Sequence, residues 1–361
     1  MANERIDWID MSGIIVLTGG GSAGHVTPNL ALVDDLKQHD YEIHYIGTED
    51  GIERTIVRDL PYHSIEAGKL RRYLSKENIK DFFKIFRGYR QAKKILKDLN
   101  PRLVFAKGGF VSVPVVWAAA KLGIPTVLHE SDYSPGLANR LCARKARKIC
   151  LSFDVPNQYG SKSVVTGSPV RSSLLSGNKE KGLQFLGFKS GKPVLLIMGG
   201  SLGAKAINDA VDGCIDSLTS SYCVVHLRGK GNLNESLSTH ENYRQFEFLE
   251  KELADVFSAT DLALSRAGAN AVFEYLTLCI PPLLIPLPLS ASRGDQLQNA
   301  AYFKEHGYAH VLQQEELTSE ALPAAVGALF KDKDKIIKSM KASGALDGTA
   351  NVLKVIYESV R

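Results

Sequence analysis

Residues 14–25 read IIVLTGGGSAGH, and residues 193–204 read PVLLIMGGSLGA. Each stretch is a short apolar run, followed by a glycine-rich turn and then by a segment with a helical pattern. Glycine lets the backbone approach a ligand closely, and the first turn of a helix offers unpaired N–H groups to an anion. One such stretch is typical of a nucleotide-binding α/β domain. Two of them, half the chain apart, predict two such domains facing one cleft.

Length and composition favour a two-domain globular protein. The chain has 361 residues, of which 44% are hydrophobic and 23% are charged, and this length fits two domains of ordinary size. The five cysteines form no CxxC motif, which predicts free thiols in a reducing compartment rather than disulfides or zinc. The sequence also shows neither the apolar region of a signal peptide nor an apolar run long enough to span a membrane.

Apolar, β-rich runs alternate with helical patterns, which predicts parallel sheets covered on both faces. The predicted strands are 14–18, 42–46, 103–106, 126–129, 194–198, 223–227, 262–264 and 283–286. The predicted helices are 27–38, 114–121, 205–218, 270–277 and 350–360. A polar stretch at 160–163 predicts a domain boundary there. We therefore expect an N-terminal domain over 1–163 and a C-terminal domain over 164–344, with a C-terminal helix in 345–361 packing back on the first domain.

One segment is strongly basic. Residues 69–98 contain eleven Lys and Arg residues and three Asp and Glu residues. Their net charge is therefore +8, compared with +5 for the whole chain. Phe82, Phe83, Phe86 and Tyr89 recur at helical spacing on one face. The segment is either an ordinary surface helix whose apolar face enters the core, or a surface that docks on anionic lipid. Nucleic acid is the weakest interpretation, because no nucleic-acid motif accompanies the charge.

The first glycine turn matches G-x-G-x-x-G over residues 19–24, which by default predicts a dinucleotide site with Glu49 or Asp50 on the ribose. His25 counts against that site, because a small helix-packing residue is expected there. The second glycine turn would also be left unexplained. His25 is either a general base at the mouth of the turn or a helix residue bonded to a neighbouring carbonyl.

Two further loops of the first half follow predicted strands, at residues 107–110 and 129–136. Since ligands bind beyond the carboxyl ends of parallel strands, these loops and the glycine turn are expected to converge on one pocket. Glu130 and Asp132 are candidate polar groups there. The alternative for both is helix capping and turn formation.

The second half offers groups suited to a sugar nucleotide. Arg171 could pair with a diphosphate, and Ser201 could donate to a phosphate or cap a helix. Glu274 could accept both hydroxyls of a ribose, or be a surface glutamate. The polar loop 293–300 could bind sugar hydroxyls. The D-x-D sequence at 332–334 lies in a lysine-rich helical surface and is interpreted as a solvated charge run, so we expect amides, Arg171 and Ser201 to stabilise a leaving diphosphate without a metal.

Six of these segments occur together in a recognisable order. They are residues 19–25, 107–114, 129–136, 199–204, 265–274 and 293–300. In that order they resemble the MurG family of membrane-associated N-acetylglucosaminyltransferases, within glycosyltransferase family 28. Residues 68–73 and 292–296 are similar to its Gram-positive branch. The resemblance covers nearly the whole chain.

The resemblance implies a GT-B fold, with two Rossmann-like parallel-sheet domains facing across a cleft. It implies transfer of N-acetylglucosamine (GlcNAc) from UDP-GlcNAc to the 4-hydroxyl of N-acetylmuramic acid in undecaprenyl-linked lipid I, forming lipid II for peptidoglycan. The transfer inverts the anomeric carbon and uses no cofactor and no metal. The implied location is the cytoplasmic face of the cell membrane, as a peripheral protein. The implied partners are lipid I, the anionic membrane surface, and proteins of cell-wall synthesis and division, without nucleic acid.

Residue roles also follow from the resemblance. His25 is the candidate base, and Glu130 is its candidate assistant. Donor contacts are implied for Glu274 on the ribose, Leu249 beside the uracil, Arg171 and Ser201 on the diphosphate, and Gln296 with Asp295 on the GlcNAc hydroxyls. The other implied donor-site residues are Ser22, Ala23 and Gly24, which line the cleft from the acceptor side, and Asp132, Gly200 and Ala269. The implied acceptor and membrane residues are Gly108, Gly109, Phe110, Lys76, Lys80, Phe82, Phe83, Phe86 and Arg87.

Some residues depart from the family pattern. Asp132 stands where relatives have asparagine, and Asp295 stands where they have a second glutamine, which leaves the hydrogen bonding to the sugar open. Two other functions stay open: another GT-B sugar-nucleotide enzyme, such as a glycolipid transferase or a UDP-GlcNAc 2-epimerase, and a nucleotide-sugar binding module without catalysis. A requirement for an acceptor separates the transferase from an epimerase, which consumes UDP-GlcNAc alone, and a binding module would turn nothing over.

Overall fold

The computed structural model describes residues 12–68, 76–200 and 203–360, and for residues 76–82 it describes the backbone alone. The chain divides into two compact units. The first unit takes the described residues up to Ser131, together with Pro135–Arg171 and the residues from Gly348 onward. The second unit takes Asp132–Ser134 and Ser172–Asp347.

Thirteen strands lie within the described residues. They are β1 Gly13–Thr18, β2 Tyr41–Gly47, β3 Tyr62–Ser64, β4 Leu103–Ala106, β5 Thr126–Glu130, β6 Lys148–Leu151, β7 Ser163–Val165, β8 Val194–Met198, β9 Cys223–Leu227, β10 Tyr243–Phe246, β11 Leu262–Ser265, β12 Pro282–Leu284 and β13 His310–Val311.

Fifteen α-helices lie in the same described ranges. They are α1 Thr27–Leu30, α2 Val33–Gln38, α3 Ile52–Ile56, α4 Lys76–Leu99, α5 Ser112–Leu122, α6 Leu137–Cys142, α7 Ser172–Leu175, α8 Lys179–Leu186, α9 Lys205–Asp212, α10 Ile215–Ser221, α11 Leu253–Ala259, α12 Ala269–Leu278, α13 Asp295–Glu305, α14 Ala321–Lys341 and α15 Gly348–Val360.

The first unit is a parallel sheet with the strand order β3-β2-β1-β4-β5-β6-β7. Successive side chains of β1 point to opposite faces, as strand geometry requires. Ile15 and Leu17 enter one apolar cluster with Leu36 of α2 and Ile356 of α15. Val16 enters another apolar cluster, formed with α4 and α5. Both faces of the sheet are therefore covered, which explains the continuous apolar runs of its strands.

The second unit repeats this plan in a parallel sheet of order β10-β9-β8-β11-β12-β13. The strand β8 is buried along Val194–Ile197. The predicted fold class, two parallel-sheet domains of Rossmann type, is confirmed for each unit. In both sheets the strand order reverses beside the strand that precedes a glycine turn, β1 in one unit and β8 in the other.

Two predicted helices are each divided in the structure. The helix expected over 27–38 forms α1 and α2, because the N–H of Leu32 bonds to Asn29 O, three residues back, and tightens the backbone there. The helix expected over 205–218 forms α9 and α10. Gly213 ends α9, and Cys214 leaves the helical region with φ −134° and ψ 20°. Glycine's low helix propensity accounts for this second break.

The two units separate after Arg171, not at the expected 163/164. The reason is β7, which pairs with β6 and so belongs to the first sheet. The helix α15 lies in the first unit. Its residues Val352, Leu353 and Ile356 join the apolar cluster of β1 and β2. None of the helices in the described part of the chain combines the length and apolar character that a bilayer crossing requires.

Candidate functional site

Each unit has a topological switch point, the place in a parallel sheet where neighbouring loops diverge and ligands bind. In the first unit it lies beyond the carboxyl ends of β1 and β4. In the second unit it lies beyond β8 and β11. The glycine turns at 19–25 and 199–204, and the loops at 107–110 and 266–268, follow these four strands. The candidate residues of these four loops therefore lie at the switch points.

In the first glycine turn, a backbone carbonyl bears on the tautomer of His25. Its Nδ1 lies 3.1 Å from the carbonyl oxygen of Gly20 and 3.0 Å from Ser22 Oγ. A carbonyl oxygen only accepts hydrogen bonds, so Nδ1 carries the ring proton of neutral His25 and Nε2 carries the lone pair. The predicted alternative, a bond to a neighbouring carbonyl, is thus present. It leaves the imidazole in the tautomer that a base acting through Nε2 needs.

The turn itself is held by groups that the sequence analysis did not assign. Tyr45 Oη donates to Gly19 O at 2.7 Å, and Asn29 Nδ2 donates to Thr18 O at 3.2 Å. Glu53, fully buried, accepts from Gly21 N at 3.1 Å. Burial raises the pKa of Tyr45 far above its ordinary value, so its hydroxyl stays protonated as a donor. The partners are distant in sequence, so local patterns carry no signal for them.

The loop after β4 packs directly on this turn. Gly108 and Gly109 have positive φ angles of 95° and 77°. A Cβ on Gly109 would collide with the carbonyl oxygen of Gly20, and a Cβ on Gly21 would lie 2.5 Å from the Phe110 ring. Glycine is therefore required where the two loops touch. The structure brings Gly108, Gly109 and Phe110 together with the His25 turn, as the expected common pocket requires.

Lys107 and His129 form a buried pair beneath these loops. Lys107 Nζ donates to His129 Nδ1 at 2.7 Å and also bonds to Ser131 Oγ, while His129 Nε2 donates to Gly167 O at 3.1 Å. Burial and the nearby ammonium hold the pKa of His129 well below its ordinary value, so the ring is neutral. This pair ties the ends of β4 and β5 to the segment after β7. The sequence analysis includes both residues in the loops 107–110 and 129–136 but assigns them no role of their own.

Glu130 is buried at the end of β5. Its Oε2 accepts from Gly136 N at 3.1 Å and from Asn139 Nδ2 at 2.9 Å. Both donors belong to the start of α6. These hydrogen bonds match the capping alternative that the sequence analysis kept for Glu130.

A pocket of about 640 Å³ opens beside the first glycine turn. Gly21 and Phe110 line one side of it, and Lys84 of α4 lines another. The remaining lining residues are Thr48, Glu49, Asp50, Gly51, Ile52, Ile65, Glu66 and Ala67. The pocket therefore joins the turn that carries His25 to the basic helix α4.

The helix α4 presents aromatic and basic side chains to solvent. Phe83 is 60% exposed and Phe86 is 50% exposed, and Lys84 and Arg87 are exposed beside them. The core-facing side is a different stripe, in which Ile85, Gly88, Ala92 and Leu96 are buried. Phe83 and Phe86 therefore do not enter the core as the ordinary surface-helix interpretation requires, whereas Tyr89 of the same predicted face is partly buried against the apolar cluster of Val16. The side chains of Lys76, Lys80 and Phe82 lie outside the described residues.

In the second unit, α12 begins at Ala269 directly beyond β11 and carries Glu274, which is partly exposed. Arg266, just before this helix, donates to Ile285 O at 3.1 Å and to Gln314 Oε1 at 2.7 Å. Arg266 thus ties the loop after β11 to neighbouring segments.

The polar loop before α13 is also ordered by internal bonds. Gln296 Oε1 accepts from Leu287 N at 3.1 Å, and Asp295 pairs with Arg293 at 3.1 Å. Asn299, fully buried, donates to Asp132 Oδ1 at 3.2 Å and to Ala267 O at 3.1 Å. Asn299 therefore joins the start of α13 to the loop after β11, a role that the sequence analysis missed.

The remaining candidates have few described contacts. Gly200 is exposed with φ 93°, and Leu249 is partly buried beside the exposed Phe248. Arg171 is exposed at the end of the first unit. Ser22 is exposed, and Ala23 and Gly24 are partly exposed in the first turn. Ser201 and Leu202 lie outside the described residues.

A buried ion pair stands beside the second glycine turn. Arg228, at the end of β9, forms two hydrogen bonds with Asp212, of 2.6 and 2.9 Å. Burial opposes the charge on Asp212, but hydrogen bonds from Arg228 and Asn234 outweigh it and hold the pKa of Asp212 below its ordinary value. Asn208 Nδ2 donates to Arg228 O at 3.1 Å. The pair thus fixes α9 against the end of β9.

The D-x-D sequence lies within α14. Asp332 bonds to His310 at 3.0 Å, and Lys333 pairs with Asp261 at 3.4 Å. These contacts hold the helix to its neighbours. Across the described ranges, no three His, Cys, Asp or Glu side chains are grouped as a metal site would need.

Comparison with known proteins gives a consistent result. Residues 15–151 match the glycosyltransferase family 28 N-terminal domain, and residues 194–356 match the family 28 C-terminal domain. The chain is 51% identical, over 348 residues, to a Lachnoclostridium phytofermentans protein named UDP-N-acetylglucosamine--N-acetylmuramyl-(pentapeptide) pyrophosphoryl-undecaprenol N-acetylglucosamine transferase. This similarity covers 95% of the chain and 98% of that protein.

Among solved structures, Acinetobacter baumannii MurG is similar with a TM-score of 0.76 and 26% identity, covering 96% of this chain and 99% of that one. The UDP-GlcNAc 2-epimerase of Neisseria meningitidis is similar with a TM-score of 0.65 at 15% identity, covering 97% and 99%. At 15% identity, the similarity to the epimerase shows only that the two proteins share a fold.

Proposed function

The chain belongs to glycosyltransferase family 28, and we propose that it transfers GlcNAc from UDP-GlcNAc to the N-acetylmuramyl group of an undecaprenyl-pyrophosphoryl acceptor, lipid I. The observation that carries the proposal is 51% identity, over 95% of the chain, to an enzyme named for this reaction. The product, lipid II, is a precursor of peptidoglycan. The similarity extends over both units, so it includes both glycine turns.

The chemical step is a single displacement with inversion at the anomeric carbon. Nε2 of His25 takes the proton from the 4-hydroxyl of the acceptor sugar while that oxygen attacks C1 of GlcNAc. The bond between C1 and the diphosphate oxygen breaks, and UDP leaves. The Nδ1–H bond to Gly20 O supports this role, since it keeps the lone pair on Nε2. A positioned base of this kind contributes about 100- to 10,000-fold in rate.

Most of the proposed donor contacts lie in the second unit. Glu274 accepts from the ribose hydroxyls, Leu249 lies beside the uracil, and Gln296 with Asp295 binds the GlcNAc hydroxyls. Amides of the β8 turn at the start of α9, with Ser201 and Arg171, stabilise the negative charge that develops on the diphosphate. The family resemblance suggests that this stabilisation proceeds without a metal ion.

The acceptor arrives from an anionic membrane surface. The exposed Phe83 and Phe86 give α4 an apolar contact, and its cations surround them. Two more exposed apolar side chains of this unit, Trp117 on α5 and Leu141 on α6, are 39% and 37% exposed. The pocket lined by Lys84 and Gly21 supports a path from this surface to the turn that carries His25. The proposed location is therefore the cytoplasmic face of the membrane, as a peripheral protein.

Membrane docking is tested by sedimentation with anionic vesicles. Replacing Lys76, Lys80, Lys84 and Arg87 with Gln should weaken binding at least tenfold, because each cation contributes about 1 kcal/mol near an anionic surface. The matched control replaces Lys331, Lys335, Lys338 and Lys341, which α14 exposes, with Gln. Equal vesicle binding by the two quadruple variants would rule out docking through α4.

The function is tested by measuring UDP release from UDP-GlcNAc, with and without a lipid I analogue in detergent and with EDTA present. We expect release only with the analogue and no effect of EDTA. Conversion of UDP-GlcNAc to its 2-epimer without an acceptor would show that the protein is an epimerase and not a transferase. Binding of the donor without any turnover would leave a binding module.

A further inference from the structure

A single peptide group lies between a histidine and a carboxylate in the first unit. Its carbonyl oxygen, on Gly20, is 3.1 Å from His25 Nδ1. Its N–H, on Gly21, donates to Glu53 Oε2 at 3.1 Å. The imidazole and the carboxylate are thus joined through the two ends of one amide.

The carboxylate in this arrangement is firmly held. Glu53 is fully buried in α3. Its other oxygen, Oε1, accepts from Thr48 N at 3.1 Å and from Thr48 Oγ1 at 2.5 Å. Three donors therefore fix the two oxygens, as a buried carboxylate requires. Glu53 connects the loop after β2 to the turn after β1.

The glycines of the turn are explained by the same contact. A Cβ on Gly20 would lie 2.5 Å from Glu53 Cδ, so a side chain there would displace the carboxylate. Gly21 has φ 82°, which disfavours other residues. Gly109 closes over the other side of the amide, because its Cβ would meet Gly20 O and lie 3.2 Å from His25 Nδ1. The backbone is shaped around this amide from both sides.

We infer that Glu53 is the positioning residue of the catalytic base. The inference rests on the proposed function, in which His25 is that base. Hydrogen bonds in a chain polarise one another, so the carboxylate on Gly21 N–H makes Gly20 O a stronger acceptor for His25 Nδ1–H. Glu53 thereby holds the tautomer and orientation of His25 and stabilises the imidazolium that forms when Nε2 takes the acceptor's proton. No proton reaches Glu53.

This arrangement has the logic of a catalytic triad, with an amide inserted between carboxylate and histidine. In a Ser-His-Asp triad the carboxylate accepts directly from Nδ1–H and orients the ring. Here Gly20 O accepts from Nδ1, and the carboxylate acts one group further away. Glu130, the assistant that the resemblance suggested, bonds instead to Gly136 and Asn139 at the start of α6.

The test is a double-mutant cycle between Glu53→Gln and His25→Ala. Glu53→Gln keeps the shape of the side chain and puts an amide NH₂ in place of one oxygen, so one of its backbone donors loses its acceptor. We expect kcat to fall about 10- to 100-fold, as for other partners that orient a reacting group, with the KM for UDP-GlcNAc unchanged. In the His25→Ala background the same substitution should change kcat less than about twofold, because the residue that it acts through is gone.

Glu130→Gln is the matched comparison, since it alters another buried carboxylate that accepts from a backbone N–H in the same unit. If Glu130→Gln lowers kcat, its fold-loss and that of His25→Ala should multiply in the double variant. If the kcat losses of Glu53→Gln and His25→Ala multiply in the same way, or if Glu53→Gln leaves kcat unchanged, the inference fails. The proposal that His25 is the base then still stands. If His25→Ala alone leaves kcat unchanged, the proposed base is wrong instead.

A spectroscopic readout separates positioning from general damage to the fold. In ¹⁵N-histidine-labelled protein, the signals of His25 are identified by their absence in His25→Ala, among nine histidines. Neutral His25 should show a protonated Nδ1 in the wild type and a mixture of both tautomers in Glu53→Gln. An unchanged Nδ1–H tautomer in Glu53→Gln would contradict the inference.

If Glu53→Gln does not fold, Thr48→Val takes its place in the cycle. It removes only the hydroxyl that donates to Oε1. The expected loss in kcat is a few-fold, again absent in the His25→Ala background. A loss that persists in that background would overturn the inference.

Discussion

The glycine turns after β1 and β8 occupy equivalent positions in their sheets, yet different charged residues stand beside them. In the first unit the neighbouring strand β2 leads to Glu53, whose carboxylate accepts from the turn itself at Gly21 N. In the second unit the neighbouring strand β9 leads to Arg228, whose guanidinium bonds to Asp212. In the described part of the second turn, Gly203 packs on the backbone carbonyl of Arg228 and close to Asn232 Nδ2.

This difference fits the separate tasks that we propose for the two turns. A carboxylate under the first turn favours the positive charge that a base acquires when it takes a proton. A carboxylate in the same place under the second turn would repel a diphosphate. On this proposal, the Glu53 carboxylate beside the first turn suits that turn to proton transfer rather than to the binding of an anion.

The largest effect expected from this comparison is on the stability of the second unit. Arg228→Met should lower the free energy of unfolding by about 3 kcal/mol, the lower end for breaking a buried pair, because it leaves the partly buried Asp212 carboxylate with a hydrogen bond from Asn234 but without its paired cation. Trp117 lies on α5 in the first unit, so its fluorescence, measured in a Trp8→Phe background, reports the first unit while circular dichroism reports both. In urea, the dichroism midpoint should fall while the fluorescence midpoint stays in place.

The double variant Arg228→Met with Asp212→Leu is the control. Replacing both members of a buried ion pair is often close to neutral, so it should recover most of the lost stability. A fluorescence midpoint that falls equally in Arg228→Met would show that the ion pair does not belong to the second unit alone.

A smaller effect is expected on donor binding. Glu274→Ala should raise the KM for UDP-GlcNAc about 10- to 100-fold with little change in kcat, because hydrogen bonds between a carboxylate and hydroxyls contribute about 1.5–3 kcal/mol. Steady-state kinetics at saturating acceptor measure this split. Glu274→Gln keeps one acceptor oxygen, so its KM should lie between those of the wild type and Glu274→Ala. An unchanged KM in Glu274→Ala would remove Glu274 from the ribose site.

The smallest effect concerns pH and a feature that both units share. Each has a buried histidine near a cation, His129 near Lys107 and His226 near Arg228. Burial, reinforced by the cation, lowers the pKa of His226 to about 3 and that of His129 well below its ordinary value. Both rings are therefore neutral in the folded protein, whereas in the unfolded chain they bind protons below about pH 6.5.

Stability should therefore fall as pH decreases below about 6.5, by about 1.4 kcal/mol per pH unit for each histidine. In His226→Gln, the pH slope of the dichroism-detected free energy should become shallower between pH 6.5 and 5, while the fluorescence-detected slope stays as in the wild type. Urea unfolding at three pH values measures both slopes. An unchanged dichroism slope would mean that His226 is already charged in the folded protein.

The sequence predicts much of the sheet but not the contacts between loops. Strand β4 lies where the apolar run 103–106 predicted it, because buried parallel strands leave a strong local pattern. The Glu53–Gly21 bond joins residues 32 positions apart. It depends on β1 and β2 being neighbours, which no local pattern encodes. Arg228 and Asp212 were missed for the same reason.

The basic helix α4 shows a second limit. Its aromatic residues and its small aliphatic residues form two stripes, and periodicity alone does not say which stripe enters the core. Gly88 decides the outcome, since a Cβ there would collide with the carbonyl oxygen of Glu66 and lie 3.6 Å from Pro114 Cβ. Because glycine permits this close approach, the side of α4 that carries Gly88 faces the core. Phe83 and Phe86 are therefore left exposed.

The central claim is that the first glycine turn serves proton transfer while donor binding belongs to the second unit. The most direct test measures the Kd for UDP-GlcNAc by titration calorimetry, and kcat with the lipid I analogue, in wild type and His25→Ala. We expect a kcat about 100- to 10,000-fold lower in the variant, with a Kd within about twofold of the wild type. A Kd that rises in proportion to the loss of kcat would contradict it and assign His25 to structure.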